Sequence, residues 1–323
     1  MLVYAGIDEA GYGPMLGPLC TACTVFTVAE HDHTAGPPDL WSRLARAVCR
    51  EKRDRAGRLV IDDSKKLKNT AAETALTHLE RGVLAFLASL DNARGLPRND
   101  DELMYQLGIA CPDLPWYVDS TALPLHHDPA ALAIQVDRLS RACQARGAQC
   151  RMMAAAALDA GPFNEAVRRA DSKAAVNLSQ ALRLADEVWK RWPAASPRVV
   201  IDRQSGRSRY ARDLSCRWPE AEITVIAESE RFSRYEIHQN GQSMAISFVT
   251  EADSNHLPVA LASMTAKYLR ELLMARLNRY FCRQLPELKP TAGYMQDGRR
   301  YLKEIHGLLN DLGVDRTLLV RDR

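Results

Sequence analysis

The chain opens on an apolar, β-prone run, LVYAGID at 2–8, which ends in a carboxylate and is followed by another; glycine and proline in GYGP and GP then mark tight turns before a second apolar run, LCTACTVFTV. A strand, a glycine turn and a strand are expected. Residues 39–53 are expected to be helical, RLVIDDSKKLK to give a short strand and a polar loop, and 70–90 to form a helix with Leu76, Leu79, Val83 and Leu87 on one face, stopping near Asp91. Prolines at 97, 112, 115, 124 and 129 and the apolar segment LPWYVDSTALPL then change the texture, before an expected helix from Pro129 to Ala145. Residues 163–191 read as helix, PRVVIDRQ as a buried strand closed by Asp202, and ITVIAESERFSRYEIHQNGQSMAISFV as two or three strands with a hairpin signal at Asn240-Gly241. Pro258 to Phe281 reads as one helix with proline in its first turn. The order is mixed α/β with antiparallel neighbours and no internal repeat.

The change of texture divides the chain into an N-terminal part at 1–90, an inserted or lid-like helical subdomain at 91–151, the remainder of the main domain at 152–281, and a C-terminal helical segment at 282–323. A length of 323 residues with 46% hydrophobic side chains is enough for a substantial core. Lys plus Arg total 43 against 40 Asp plus Glu, a net charge of +3, so any basic surface for nucleic acid has to be local. No run reaches the ~20 apolar residues a membrane span needs and the start carries no secretion signal, so no membrane partner and a cytoplasmic location are expected. Eight scattered cysteines in so long a chain read as free thiols.

Four acidic residues stand where strands end or helices begin: Asp8 and Glu9 after the first strand, Asp202 after PRVVI, and Asp253 just before the helix at Pro258. Strand ends are where α/β sheets usually place their chemistry. Phosphodiester hydrolysis by two divalent ions requires hard oxygen ligands that converge, which several carboxylates provide. Each one alone reads as a solvated turn residue or a helix cap.

The residues around them resemble the ribonuclease HII family in four separated blocks. GIDEAGYGPMLGPL is similar to that family's opening signature and DSKKLK at 63–68 to its DSKKL loop. VVIDRQ matches the strand bearing its third carboxylate, and EADSNHLPVALASMTAKYLRELLM the segment where a catalytic Asp precedes a helix with an ASxxAK pattern. With AGYMQDGRRYL near the C-terminus, these blocks span much of the chain outside 91–151. The resemblance implies a ribonuclease H-like mixed sheet flanked by helices, acting on RNA:DNA hybrids or on ribonucleotides embedded in duplex DNA with Mg²⁺ or Mn²⁺ at a two-metal site. It implies Asp8, Glu9, Asp202 and Asp253 as metal-binding catalytic carboxylates, and the backbone of Gly11 to Gly13 as the reader of a ribose 2′-hydroxyl. Ser64 and Lys65 would hold DNA-strand phosphates, and Tyr294 would pack on a sugar beside the cut.

Where that family carries Gly-Arg-Gly, this chain has Gly11-Tyr12-Gly13, exchanging a guanidinium fork for a phenol. Arg203, Arg207, Arg209 and Arg212 follow Asp202 and suit backbone phosphates, which adds Arg203 to the expected substrate contacts. Cys20 and Cys23 have CxxC spacing, but residues three apart on a strand face opposite ways, and zinc is not expected. His31 with His33 and His126 with His127 read as solvated loop residues. A monomeric nuclease is the leading reading. Two alternatives are a catalytically weak hybrid-binding protein and a nuclease of the same fold acting on another duplex structure.

Overall fold

A computed structural model describes residues 1–32, 36–67, 76–91, 94–204 and 206–322. The first apolar run forms strand β1 (Leu2–Ala10) and the second β2 (Leu19–Val28), paired antiparallel from Leu2↔Val28 to Ala10↔Cys20. Both are buried along nearly their whole length, because helices cover both faces of the sheet there, and so they read as continuous apolar runs. Next come a one-turn helix α1 (Ser64–Leu67), then α2 (Thr77–Ala88), α3 (Asp100–Gln106) and α4 (Pro129–Arg146), which Asp128 caps and Gly147 ends in left-handed backbone.

Strand β3 (Ala148–Leu158) lies on the far side of β2, followed by α5 (Ala160–Ala170) and α6 (Lys173–Arg191). Strand β4 (Arg198–Asp202) runs parallel to β1, and the meander β5 (Glu222–Glu228), β6 (Phe232–Gln239) and β7 (Gln242–Val249) completes the sheet. Its order is β3-β2-β1-β4-β7-β6-β5, with β7 parallel to β4. Asn240 and Gly241, both at positive φ, make the predicted two-residue turn between β6 and β7. A short α7 (Ala252–Asn255) leads into the long α8 (Leu257–Gln284), and α9 (Met295–Glu304) begins the C-terminal segment.

The two faces of β1 feed two cores. Leu2 and Tyr4 pack with α2, α4 and α8, whereas Val3, Ala5 and Ile7 pack with α6. Helix α8 lies so close to β1 that a Cβ on Gly6 would sit 2.2 Å from the Val259 nitrogen; only glycine admits the helix here. That contact fixes the start of α8 under the strand end that carries Asp8.

Three elements differ from the sequence expectation. The helix expected over 39–53 is confined to Leu40–Arg43, because Val48–Cys49 pairs parallel with Leu59–Val60, and tertiary pairing overrides local periodicity. The helix expected over 163–191 is two helices, broken where Asp171 takes left-handed backbone and Ser172 caps α6 by accepting from the Ala175 N–H. Strand β3 had no counterpart in the reading, since AQCRMMAAAAL is rich in alanine and methionine and poor in β-branched residues. Residues 70–75 of the expected helix at 70–90, like Lys68 and His33, lie outside the described residues.

Segment 91–151 shares the main core, where Leu103, Met104, Leu107, Trp116, Leu132 and Leu139 pack in the same cluster as α8. Buried polar groups tie it down. Glu80 of α2 accepts from the Leu125 and His126 N–H groups and from the Tyr268 hydroxyl at 2.7, 2.8 and 2.9 Å. Arg276 of α8 pairs with Asp100 and donates to the Tyr117 carbonyl at 2.6 Å. Cys20 and Cys23 fall in opposite cores, so the CxxC spacing forms no joint site, and all eight cysteines are free.

Candidate active site

Parallel pairing of β1, β4 and β7 brings Asp8, Glu9 and Asp202 to one end of the sheet, with Asp202 opposite Val249. The chain turns back through α7 immediately after β7, which delivers Asp253 to the same end. Asp202 accepts the Ala252 N–H at 2.9 Å and so holds the start of α7 against β4. Asp8 is buried at 8% exposure, and Glu9, Asp202 and Asp253 are half-buried.

Crowding of like charges out of water shows in the proton affinities. Burial, then the charges of Glu9 and Asp202, push the Asp8 carboxyl well above its usual range. Burial and Asp202 raise Glu9 to about 7, and burial raises Asp202 to about 6 with Asp253 adding to it. Asp253 is raised too, by burial and then by Asp63. Lys65, on the exposed side of α1, is the cation that Glu9, Asp202 and Asp253 all sense. Among the described residues no three His, Cys, Asp or Glu side chains are drawn in around a single ion position. The donor set nonetheless suits a hard divalent cation: oxygen ligands only, partly desolvated, repelling one another, with two lysines, Lys65 and Lys66, against four carboxylates.

Sequence reading did not find the groups that orient these carboxylates. Asp8 Oδ1 accepts the Glu9 N–H at 2.7 Å, and Ser263 of α8 hydrogen-bonds the same carboxylate. Asn177 of α6 hydrogen-bonds Glu9. Ser263 stands inside the ASxxAK pattern, so that motif carried a signal; Asn177 lies in an unremarkable amphipathic helix and gave none.

The predicted substrate residues are spread around this end in different states. Ser64 is buried with its hydroxyl 3.0 Å from that of Ser263, which ties α1 to Asp8, while Lys65 is exposed. Gly11 has φ +90, and a Cβ there would meet the Arg270 Nε at 2.4 Å and the Pro18 carbonyl at 2.7 Å, so both backbone and space demand glycine. Tyr12 and Gly13 are exposed. Met15 and Leu16 donate to the Gly293 carbonyl at 2.8 and 3.2 Å, bringing exposed Tyr294 beside the glycine loop.

Arg203 takes a different part. Its guanidinium donates to the Ser229 carbonyl at 2.8 Å and also to the carbonyls of Glu230 and Arg207. It therefore braces the arginine-rich loop against the β5–β6 turn. Arg207 pairs with Asp213, and the exposed Arg209 approaches Glu228 at 3.6 Å. Arg203, Arg209, Glu228, Glu230 and Thr250 line an open cleft of about 730 Å³. His126 is held through its N–H by Glu80, and His127 bonds the Thr77 carbonyl at 2.9 Å.

No protein-family model matches the sequence, and neither does any curated protein sequence. Solved structures do match. Ribonuclease HII of Archaeoglobus fulgidus, solved as a complex with PCNA, is 16% identical over 100% of this chain and 95% of its own, with a TM-score of 0.41. A mutant of Bst-RNase HIII is 16% identical over 99% of this chain and 66% of its own, at 0.48. The ribonuclease H2 of Pyrococcus horikoshii OT3 is 13% identical over 98% and 92%, at 0.40. These likenesses stand beside the chain's own mixed α/β fold, a seven-stranded sheet flanked by helices.

Proposed function

We propose that the protein is a metal-dependent endonuclease that hydrolyses the RNA strand of RNA:DNA hybrids or ribonucleotides embedded in duplex DNA, leaving 5′-phosphate ends. The observation that carries this reading is the shared electrostatic field of Asp8, Glu9, Asp202 and Asp253 at one sheet end, two to three residues from a glycine loop with exposed backbone. Mg²⁺ or Mn²⁺ held by these carboxylates would supply an activated water and stabilise charge on the phosphate oxygens.

The chain's own residues supply the rest of the mechanism. Ser263, Asn177 and the Ala252 N–H each hold one carboxylate in orientation, so that the ligand oxygens need little rearrangement. Lys65 offers a cation to a phosphate next to the negative cluster. The Gly11–Gly13 backbone, with no side chain on either glycine, lets a ribose approach closely, and the 2′-hydroxyl is the group that distinguishes RNA from DNA. Tyr294, beside that loop, offers a flat face to a sugar.

A second reading, a catalytically weak hybrid-binding protein, draws on the absence of any three described acidic or ligand residues arranged around one ion position. Electrostatics weigh against it, since four carboxylates facing phosphates oppose binding unless cations intervene. Cleavage of an end-labelled hybrid with Mg²⁺, Mn²⁺ or chelator separates the two readings: the nuclease cuts in either metal and not in chelator, and the binder retains the hybrid uncut in all three.

A further inference from the structure

Two arginines are buried beneath the glycine loop, Arg270 of α8 at 1% exposure and Arg321 near the C-terminus at 2%. Arg321 Nη2 donates to the carbonyl oxygens of both Gly11 and Pro14, and the Arg321 backbone N–H donates to the Met15 carbonyl at 2.9 Å. Arg270 Nη2 donates to the carbonyls of Leu16 and Ala292 at 3.2 and 3.1 Å. The loop is thus held from below through its carbonyl oxygens.

The tail that carries Arg321 is anchored elsewhere. Asn164 of α5 donates to the Val320 carbonyl at 2.8 Å and accepts the Asp322 N–H at 2.6 Å, and the Arg321 guanidinium lies 4.9 Å from the centre of the Phe163 ring. Helix α5 therefore gives Arg321 an anchor outside the loop, in addition to the backbone bond to Met15.

A trans peptide unit is planar, with its C=O and N–H pointing in opposite directions. Turning the Gly11 carbonyl inward to Arg321 turns the Tyr12 N–H outward, to the exposed side of the loop. This orientation requires a partner, because a glycine before the peptide leaves its plane free to flip.

We propose that Arg321 is a positioning residue: by holding the Gly11 carbonyl it keeps the Tyr12 N–H aimed at the ligand and so sets discrimination between ribose and deoxyribose. The inference rests on the reading of the site as a ribonucleotide-directed nuclease and adds a residue about three hundred positions away to its specificity. It also gives Tyr12 a role that survives the loss of the family's arginine, since the donor is the backbone and not the side chain.

The test compares full-length wild type, Arg321→Met, Arg321→Lys and Asn164→Ala. Affinities are measured by fluorescence anisotropy, in Ca²⁺, for an all-DNA duplex and for the same duplex with one ribonucleotide. Thermal melting of each variant accompanies them. Arg321→Met is expected to shrink the preference for the ribonucleotide by about tenfold, the loss of one buried hydrogen bond to the ligand, while leaving all-DNA affinity unchanged. Arg321→Lys should restore part of it, and Asn164→Ala should lower it in the same direction by less. In ¹⁵N-tyrosine-labelled wild type the Tyr12 amide signal should shift with the ribonucleotide duplex and not with DNA. An unchanged preference in a folded Arg321→Met overturns the proposal and leaves the nuclease reading standing. Wild type that neither discriminates nor cleaves overturns both. If Arg321→Met does not fold, a Tyr12 amide that ignores the ribonucleotide still overturns the proposal.

Discussion

Replacing Asp8 with Asn removes one negative charge from the most deeply buried member of the carboxylate cluster while keeping its shape. The Asn oxygen still accepts the Glu9 N–H, and its amide donates to the Ser263 hydroxyl, so the local hydrogen bonds survive. What changes is the field. A Glu9 carboxyl that titrates near 7 in the fold against 4.5 in an open chain loses roughly 3 kcal/mol of stability on ionising there, at about 1.36 kcal/mol per pH unit. Because the folded protein binds that proton more tightly, stability without metal falls as pH rises from about 4.5 to about 7. Asp8 carries a penalty of the same sign, since burial, Glu9 and Asp202 push its carboxyl well above its usual range; Asp8→Asn removes that penalty, and at pH 8 in chelator the variant should melt a few degrees above wild type. The same change should abolish cleavage in Mg²⁺. Thermal melts at pH 5 and pH 8 with chelator, paired with cleavage of a labelled hybrid, read both effects. A variant that melts below wild type at pH 8, or that cuts at the wild-type rate, refutes the reasoning that the four carboxylates form one strained anionic site awaiting cations.

Other consequences are as direct. Adding Mg²⁺ or Mn²⁺ to metal-free protein should raise the melting temperature more at pH 8 than at pH 5, as ionised carboxylates gain their counter-charge; equal shifts at both pH values would argue against binding at this cluster. Gly11→Ala has to push its new Cβ into Arg270 and the Pro18 carbonyl at positive φ, and should destabilise the protein by about 2 kcal/mol or more in denaturant titrations. Tyr12→Arg introduces the guanidinium that the family pattern carries. It should raise kcat/KM on a single embedded ribonucleotide selectively over continuous hybrid, and an unchanged ratio would remove the Tyr12 side chain from the determinants of specificity.

How much of this is legible in the sequence depends on whether the cause is local. β1, β2 and β4 are visible as apolar runs because they are buried on both faces, and the β6–β7 hairpin because Asn240-Gly241 demands a particular turn. β3 is invisible because its alanines are chosen by packing against β2 and not by strand propensity. Asp8, Glu9, Asp202 and Asp253 could be nominated from their positions at element ends, and the structure brings them into one field. Ser263, Asn177 and Arg321 could not be nominated as partners of Asp8, Glu9 and Gly11, since each contact joins segments more than 160 residues apart and depends on how α8, α6 and the tail dock. Segment 91–151 reads as an insertion from its prolines, yet its apolar residues complete the core under α8, and Glu80 and Arg276 hold it there.

The central claim is that this carboxylate cluster and glycine loop cut nucleic acid at ribonucleotides, and it is tested most directly by one panel of end-labelled duplexes carrying zero, one, four or all ribonucleotides in one strand. With Mg²⁺ and with Mn²⁺ the account predicts cuts confined to the ribonucleotide-containing strands, with 5′-phosphate products, and none in chelator. Cleavage of the all-DNA duplex at a comparable rate, or no cleavage of any duplex by folded, metal-loaded protein, would contradict it.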